Sequence, residues 1–132
     1  MTNNYFKNQK GFIAITTVLI ILVIVLVVGI SLGLRSIDEM KMALQKSQSL
    51  AAYYLANLCA EHGLMELKEN RNYAGGESLN MENGSCTILP IEDSWIIKTS
   101  ANSFNQVKKI KVVISQISPK MIVDSWTEVA EF

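Results

Sequence analysis

From Phe12 to Leu34 the chain runs for 23 residues without a charge, FIAITTVLIILVIVLVVGISLGL, and this stretch limits what the rest can become. A helix of that length spans about 35 Å, enough for the ~30 Å hydrocarbon core of a bilayer. Ile and Val dominate it, and in water they would favour strand. In lipid an isolated strand leaves its backbone groups unpaired, so helix is the expected outcome. The overall 49% hydrophobic content looks ordinary until it is located, because much of it lies in this one run. Beyond Leu34 the chain carries enough apolar surface for a modest, one-layer core.

The flanks give the run a direction. A secretory signal has an apolar region of about 7–15 residues followed by a small-x-small cleavage site. Here the run is longer and ends in GISLGLRSIDEM, with no A-x-A, so cleavage beyond it is not expected. Lys7 and Lys10 precede the run, whereas Arg35 is soon followed by Asp38 and Glu39. That asymmetry places the N-terminus in the cytoplasm and the bulk of the chain across the membrane. The whole sequence balances 12 basic against 12 acidic side chains. Without residues 1–11 the balance is 10 basic against 12 acidic, so a nucleic-acid binder driven by phosphate neutralisation is not expected, nor nucleic acid as a primary partner. Lys108, Lys109 and Lys111 read as the solvated side of a strand.

The stretch QKGFIAITTVLIILVIVLVVG resembles the N-terminus of type IV prepilins and of the related pseudopilins of type II secretion. Their mark is a short basic leader ending in Gly, then Phe or Met, then a charge-free helix. The resemblance implies that a membrane prepilin peptidase cuts between Gly11 and Phe12, with Lys10 as the basic residue before the glycine, and methylates the new N-terminus. It divides the chain into a leader (residues 1–11), a transmembrane and assembly helix (12–34), an amphipathic continuation (35–69) and an antiparallel β head (70–132). Most major pilins carry a glutamate where this chain has Thr16, pairing it with a neighbour's N-terminal amine. A buried carboxylate without a partner is costly, whereas a hydroxyl satisfies itself on the helix backbone. The missing acid resembles tip-type minor pilins and pseudopilins. Gly29 and Gly33 form a small-xxx-small pattern that lets two membrane helices approach closely. Each glycine also weakens the helix by about 1 kcal/mol in water. In a pilin-like reading this is where the helix partly unwinds on assembly.

No proline precedes Pro90, and residues 35–69 are rich in helix formers, so the helix is expected to continue to about Lys68. Asp38 and Lys41 lie at i,i+3 spacing, facing each other on such a helix. The apolar residues Leu50, Ala51, Tyr54, Leu55, Leu58, Cys59, Leu64 and Met65 are expected to line its sheet-facing side. NRNYAGG ends the helix. Asn83-Gly84 signals a hairpin. SWIIKTSAN, QVKKIKVVISQI and MIVDSWTEVAEF read as further strands, with turns at Glu92-Asp93 and Ser103–Asn105. Ile110, Val112 and Ile114 should point one way, and Lys109, Lys111 and Ser115 the other. The fold class is α+β: a long helix whose second half packs on a four- or five-stranded antiparallel meander.

Cys59 and Cys86 are the only cysteines. In an oxidising compartment an even pair favours a disulfide, tying helix to sheet, with two separate buried thiols as the alternative. The closed loop would stabilise the head by about 3 kcal/mol. Cys59 and His62 share a helix face, yet a thiol nucleophile also needs an orienting third group, and a zinc site needs three or four ligands. His62 is the only histidine, so no catalytic residue, metal site or cofactor is expected. Asn83-Gly84-Ser85 is formally a glycosylation sequon that the hairpin accounts for. Trp95 and Trp126 are read as sheet-packing residues.

These readings point to a structural subunit, minor or tip, of a type IV pilus-like filament. Its partners would be other pilin or pseudopilin subunits, the prepilin peptidase, the inner-membrane assembly platform and the lipid bilayer. Its expected location is the bacterial inner membrane and then the cell surface. Two alternatives remain open. One is an uncleaved, single-pass anchored binding module; the other is a pseudopilin of a secretion or DNA-uptake machine.

Overall fold

The computed structural model describes residues 5–91 and 95–132, with side chains from residue 11 onward. The turn expected at Glu92-Asp93 and the side chain of Lys10 lie outside the described residues. One helix, α1 (Tyr5–Glu69), precedes five strands: β1 (Glu77–Met81), β2 (Gly84–Ile88), β3 (Ile96–Ser103), β4 (Gln106–Gln116) and β5 (Ile122–Val129). The chain divides into two packing units between Ala43 and Leu44. In the first unit the helix is long and apolar enough to cross a membrane. Every large apolar side chain from Phe12 to Leu34 is exposed there, by 52% at Val28 and 70% at Phe12. The Asp38–Lys41 ion pair does not form among the described residues. An exposed i,i+3 pair gains too little to hold two long side chains in one geometry.

In the second unit the sheet is a plain meander, in the order β1-β2-β3-β4-β5 with every pairing antiparallel. Alternation sets its two faces. Ile97, Thr99, Ala101 and Ser103 of β3 are buried, as are Ile110, Val112 and Ile114 of β4. The register aligns them in rows, with Ile97 opposite Val112 and Thr99 opposite Ile110. Cys86 and Ile88 of β2 continue the rows opposite Ala101 and Thr99.

Of the expected sheet-facing set only Cys59 is fully buried; the helix otherwise meets this face with small residues and Leu67. Ala52, Ala56, Cys59, Ala60 and Leu67 are buried, each 1% exposed or less, and Gly63 is buried between them. Leu50, Tyr54, Leu58 and Met65 are instead 48%, 63%, 44% and 65% exposed, while Leu55 and Leu64 pack only at the margin of the core. Small residues let the helix backbone come close to the sheet. Thr99 shows how close: its buried hydroxyl donates to the Ala56 carbonyl at 3.0 Å. A Cβ on Gly63 would sit 3.4 Å from the Ile97 Cγ2 and 3.5 Å from the Ile88 Cδ1.

Two turns also refine the expectation. The β1–β2 loop is centred on Glu82-Asn83 rather than on Asn83-Gly84, because Gly84 already pairs with Met81. Gly84 is needed there for a different reason: at φ 156° its missing Cβ makes room for the Asn102 carbonyl. The β3–β4 turn is Phe104-Asn105, with both residues at positive φ (50° and 62°). That is the backbone sense of a type I′ turn, which matches strand twist. At the helix end, the Asn70 N–H donates to the Glu66 carbonyl at 2.8 Å, and the Asn70 Oδ1 accepts from the Asn72 N–H at 3.0 Å. Asn70 thus closes the last turn and starts the next one.

Candidate functional site

Three features of the first unit bear on function. Gly11 and Phe12 lie inside α1, and nothing crowds the space where a Gly11 side chain would be. The Thr16 hydroxyl donates to the carbonyls of Phe12 (3.0 Å) and Ile13 (2.9 Å), and Thr17 donates to Ile13 at 2.8 Å. Thr16 is therefore satisfied within its own helix and needs no partner chain to hold it. Gly29 and Gly33 lie one turn apart with open space at both missing side chains. Between them Ser31 returns its hydroxyl to the Val27 carbonyl at 2.8 Å. The helix is unbroken through this stretch.

The second unit joins helix and sheet covalently. Cys59 and Cys86 form a disulfide across a sequence separation of 27, with their Cα atoms 6.3 Å apart. Both are buried in the core cluster, and closing a loop of this size contributes about 3.5 kcal/mol in the chain-entropy model. The bond also takes the Cys59 sulfur away from any thiol chemistry with His62.

His62 faces carboxylates instead. Its Nε2 is 3.5 Å from the Glu77 Oε2 and 3.9 Å from the Glu66 Oε1, and the Tyr73 hydroxyl donates to the same Glu77 oxygen at 3.0 Å. Burial pushes the Tyr73 pKa up to about 12, helped by that hydrogen bond and by the negative charge of Glu77 and then Glu66. The cluster ties the end of α1 to the start of β1. Among the described residues no group of side chains is arranged to hold a metal ion. Trp126, which is 36% exposed, makes a second link between sheet and helix, its Nε1 donating to the Asn57 Oδ1 at 2.7 Å. Trp95 lies 40% exposed beside Leu67 and Tyr73.

The feature that residue size alone does not reveal is on the far side of the helix. With 3.6 residues per turn, Leu50, Tyr54, Leu58 and Met65 fall within about 80° of one another, opposite the buried alanines. Glu61 lies within the same sector. Beside this stripe, a groove of about 340 Å³ runs between Tyr54, Leu55 and Leu58 on the helix and Met81, Gly84 and Ser103 on the sheet. The signal that could have located both faces was the small-residue repeat Ala52, Ala56, Ala60, Gly63. Matched against known proteins, the chain finds no family model, no curated protein and no solved structure.

Proposed function

We propose that this chain is a minor or tip subunit of a type IV pilus-like filament. On this reading it is held in the bacterial inner membrane with its N-terminus in the cytoplasm, then assembled through α1 once residues 1–11 are removed. The observation that carries the reading is the stripe Leu50, Tyr54, Leu58 and Met65. About 20 apolar residues fill a bilayer core, and Phe12 to Leu34 already supply them. Arg35, Asp38, Glu39, Lys41 and Lys46 intervene before Leu50, so lipid does not cover the stripe. A simple anchor has no use for it. Neighbouring helices in a bundle would cover both it and the membrane run.

Assembly then needs no chemistry from this chain beyond presenting its segments. The peptidase must open the helix at Gly11-Phe12, and glycine, at about 1 kcal/mol below alanine in helix propensity, is the residue that yields most readily. Once released, the apolar faces of neighbours replace lipid along Phe12–Leu34, with the open side of Gly29 and Gly33 allowing a close approach. Thr16 offers no carboxylate to a neighbour's amine. A glutamate-bearing subunit added beneath can still reach the amine of Phe12, so extension proceeds from one side, as a cap requires. A pseudopilin would use every one of these features and differ only in the machine it joins.

The test is the mature N-terminus. Native material should begin at Phe12 with its amine methylated, and Gly11→Val should retain the long form in the membrane. An intact Met1 or Thr2 terminus overturns the reading in favour of an uncut anchored module. Quantitative labelling of purified filaments then assigns position: a few copies per filament fit a tip subunit, and dominance along the shaft removes that assignment.

A further inference from the structure

Phe104 holds a backbone conformation that its side chain does not favour. It opens the two-residue β3–β4 turn at φ 50°, and Asn105 follows at 62°. Turns of this sense select Asn, Asp and Gly, and a positive φ is an outlier for a bulky residue. Packing within its own chain does not offset the strain, because the ring is 57% exposed and lies outside the hydrophobic core. Residues strained in this way cluster where they serve a function. The hairpin tip Ser103-Phe104-Asn105-Gln106 carries no charge. The first charge after it, Lys108, faces the helix side and pairs with Glu128. An apolar surface can therefore receive the tip without desolvating an unpaired ion.

An apolar surface lies one residue away. Ser103, the neighbour of Phe104, lines the groove of about 340 Å³ between α1 and the β1–β2 loop. Tyr54, Leu55 and Leu58 wall it on the helix side and Met81 on the sheet side. Its polar floor is already satisfied, because the Ser103 hydroxyl donates to the Asn83 carbonyl at 2.7 Å. A cavity of about 150 Å³ holds a benzene ring, so the groove has room for one aromatic side chain. Phe104 does not line the groove of its own chain.

We propose that two copies of this chain pair by reciprocal insertion, Phe104 of each entering the groove between Tyr54, Leu58 and Met81 of the other. Knob and groove adjoin at one end of the sheet, where the register brings Met81, Gly84 and Ser103 together. A twofold axis between the copies therefore fills both grooves at once, and the contact closes as a dimer. A knob and groove on opposite sides of the molecule would instead propagate into a fibre. Two phenyl rings bury about 150–250 Å² each and the groove walls a similar area, about 600–1,000 Å² in total. That falls below the ~1,200 Å² of a stable free-standing interface. Pairing thus relies on both copies being held in one bilayer, which raises their effective concentration. The inference needs only the anchor, not a filament: an uncut module would pair in the same way, and a filament would carry these subunits in twos.

The experiment uses the full chain in phosphatidylcholine vesicles, with the photoreactive analogue benzoylphenylalanine in place of Phe104 and equal amounts of isotopically light and heavy copies. Irradiation should give a covalent dimer whose mixed light–heavy peptides join position 104 to Tyr54–Leu58 or to Met81–Gly84. Leu58→Glu, which puts a charge into the groove, should cut the dimer yield about tenfold. Val107→Thr, on the outer face of the same hairpin, should leave the yield unchanged. In detergent, where the copies are separated, Phe104→Asn relieves the strained turn and should raise the melting temperature of the head by about 4–8 °C. A melting temperature that stays level or falls means that the ring serves its own chain, and overturns the proposal. So do crosslinks confined to one chain or landing elsewhere, equal losses for Leu58→Glu and Val107→Thr, and the absence of a dimer.

Discussion

Two stretches of α1 are both apolar, yet they differ in how that character is arranged. From Phe12 to Leu34 large β-branched and leucine side chains occupy every side, and all are exposed. From Leu50 to Leu67 the helix is divided lengthwise, with Ala52, Ala56, Ala60 and Gly63 against the sheet and Leu50, Tyr54, Leu58 and Met65 facing out. A helix bound for an apolar solvent can be uniform, because lipid has no shape to match. A helix bound for a sheet must be shaped, because the gain lies in close approach and satisfied backbone groups. The difference shows that apolar residues on a helix do not by themselves mark the side that folds inward.

The largest expected effect tests the shaped stretch through its covalent tie. Replacing Cys59 and Cys86 together by Ser should lower head stability by about 3.5 kcal/mol, read by calorimetry on the full chain in detergent. Native, unreduced protein whose two thiols alkylate freely would remove the disulfide from this picture.

The uniform stretch is tested by charge. Ile24→Lys should cost about 3 kcal/mol of membrane insertion, measured as the inserted fraction, with the head's melting temperature unchanged. A melting temperature that falls with insertion would break the separation between the two stretches.

The division of the second stretch is sharpened by a pair of opposite substitutions. Ala56→Leu should overpack the helix against Thr99 and cost about 2 kcal/mol, while Leu58→Ala, on the exposed side, should stay within about 0.5 kcal/mol. Under the proposed function the ranking reverses in the filament, where Leu58→Ala reduces incorporation. Equal stability costs for the two would mean that both faces are buried within one chain.

The smallest effect concerns the link from the end of α1 to β1. The Tyr73 pKa is raised to about 12 in the folded chain, so its contribution is fully present below pH 10. The unfolded chain releases this proton near pH 10 and the folded chain holds it, so stability is lost as pH rises from 10 through 12. Denaturant titrations of the parent and of Tyr73→Phe should diverge across that window by about 1 kcal/mol, the roughly 2.7 kcal/mol of a two-unit shift reduced by solvent screening at this partly exposed group, with the parent falling further. Parallel curves would show that Tyr73 lies in an ordinary aqueous setting.

Much of the fold was legible in the sequence because the relevant signals are local. A charge-free run of 23 residues leaves helix as the only backbone that lipid tolerates. The alternation of QVKKIKVVISQ sends Ile110, Val112 and Ile114 to one face whatever lies above them. Thr16 bonds back to its own helix because its acceptors are three and four residues away. Two cysteines with nothing else to pair with left a short choice, between a bond and two thiols.

Tertiary structure decided the rest, in each case where several local solutions were equally good. Counting large apolar residues selected Leu50, Tyr54, Leu58 and Met65 for the sheet, but apolar area does not measure how near two backbones can come. Thr99 on β3 needs the Ala56 carbonyl, and only a small residue at 56 leaves that oxygen within reach. Nothing in KKIK separates Lys108 from Lys109 until the register places Glu128 on one face and Lys98 on the other. Asn57 and Trp126 meet across 69 residues of chain. Local sequence determines which faces an element has; which face is used depends on the shape of the partner, and that exists only once the sheet has formed.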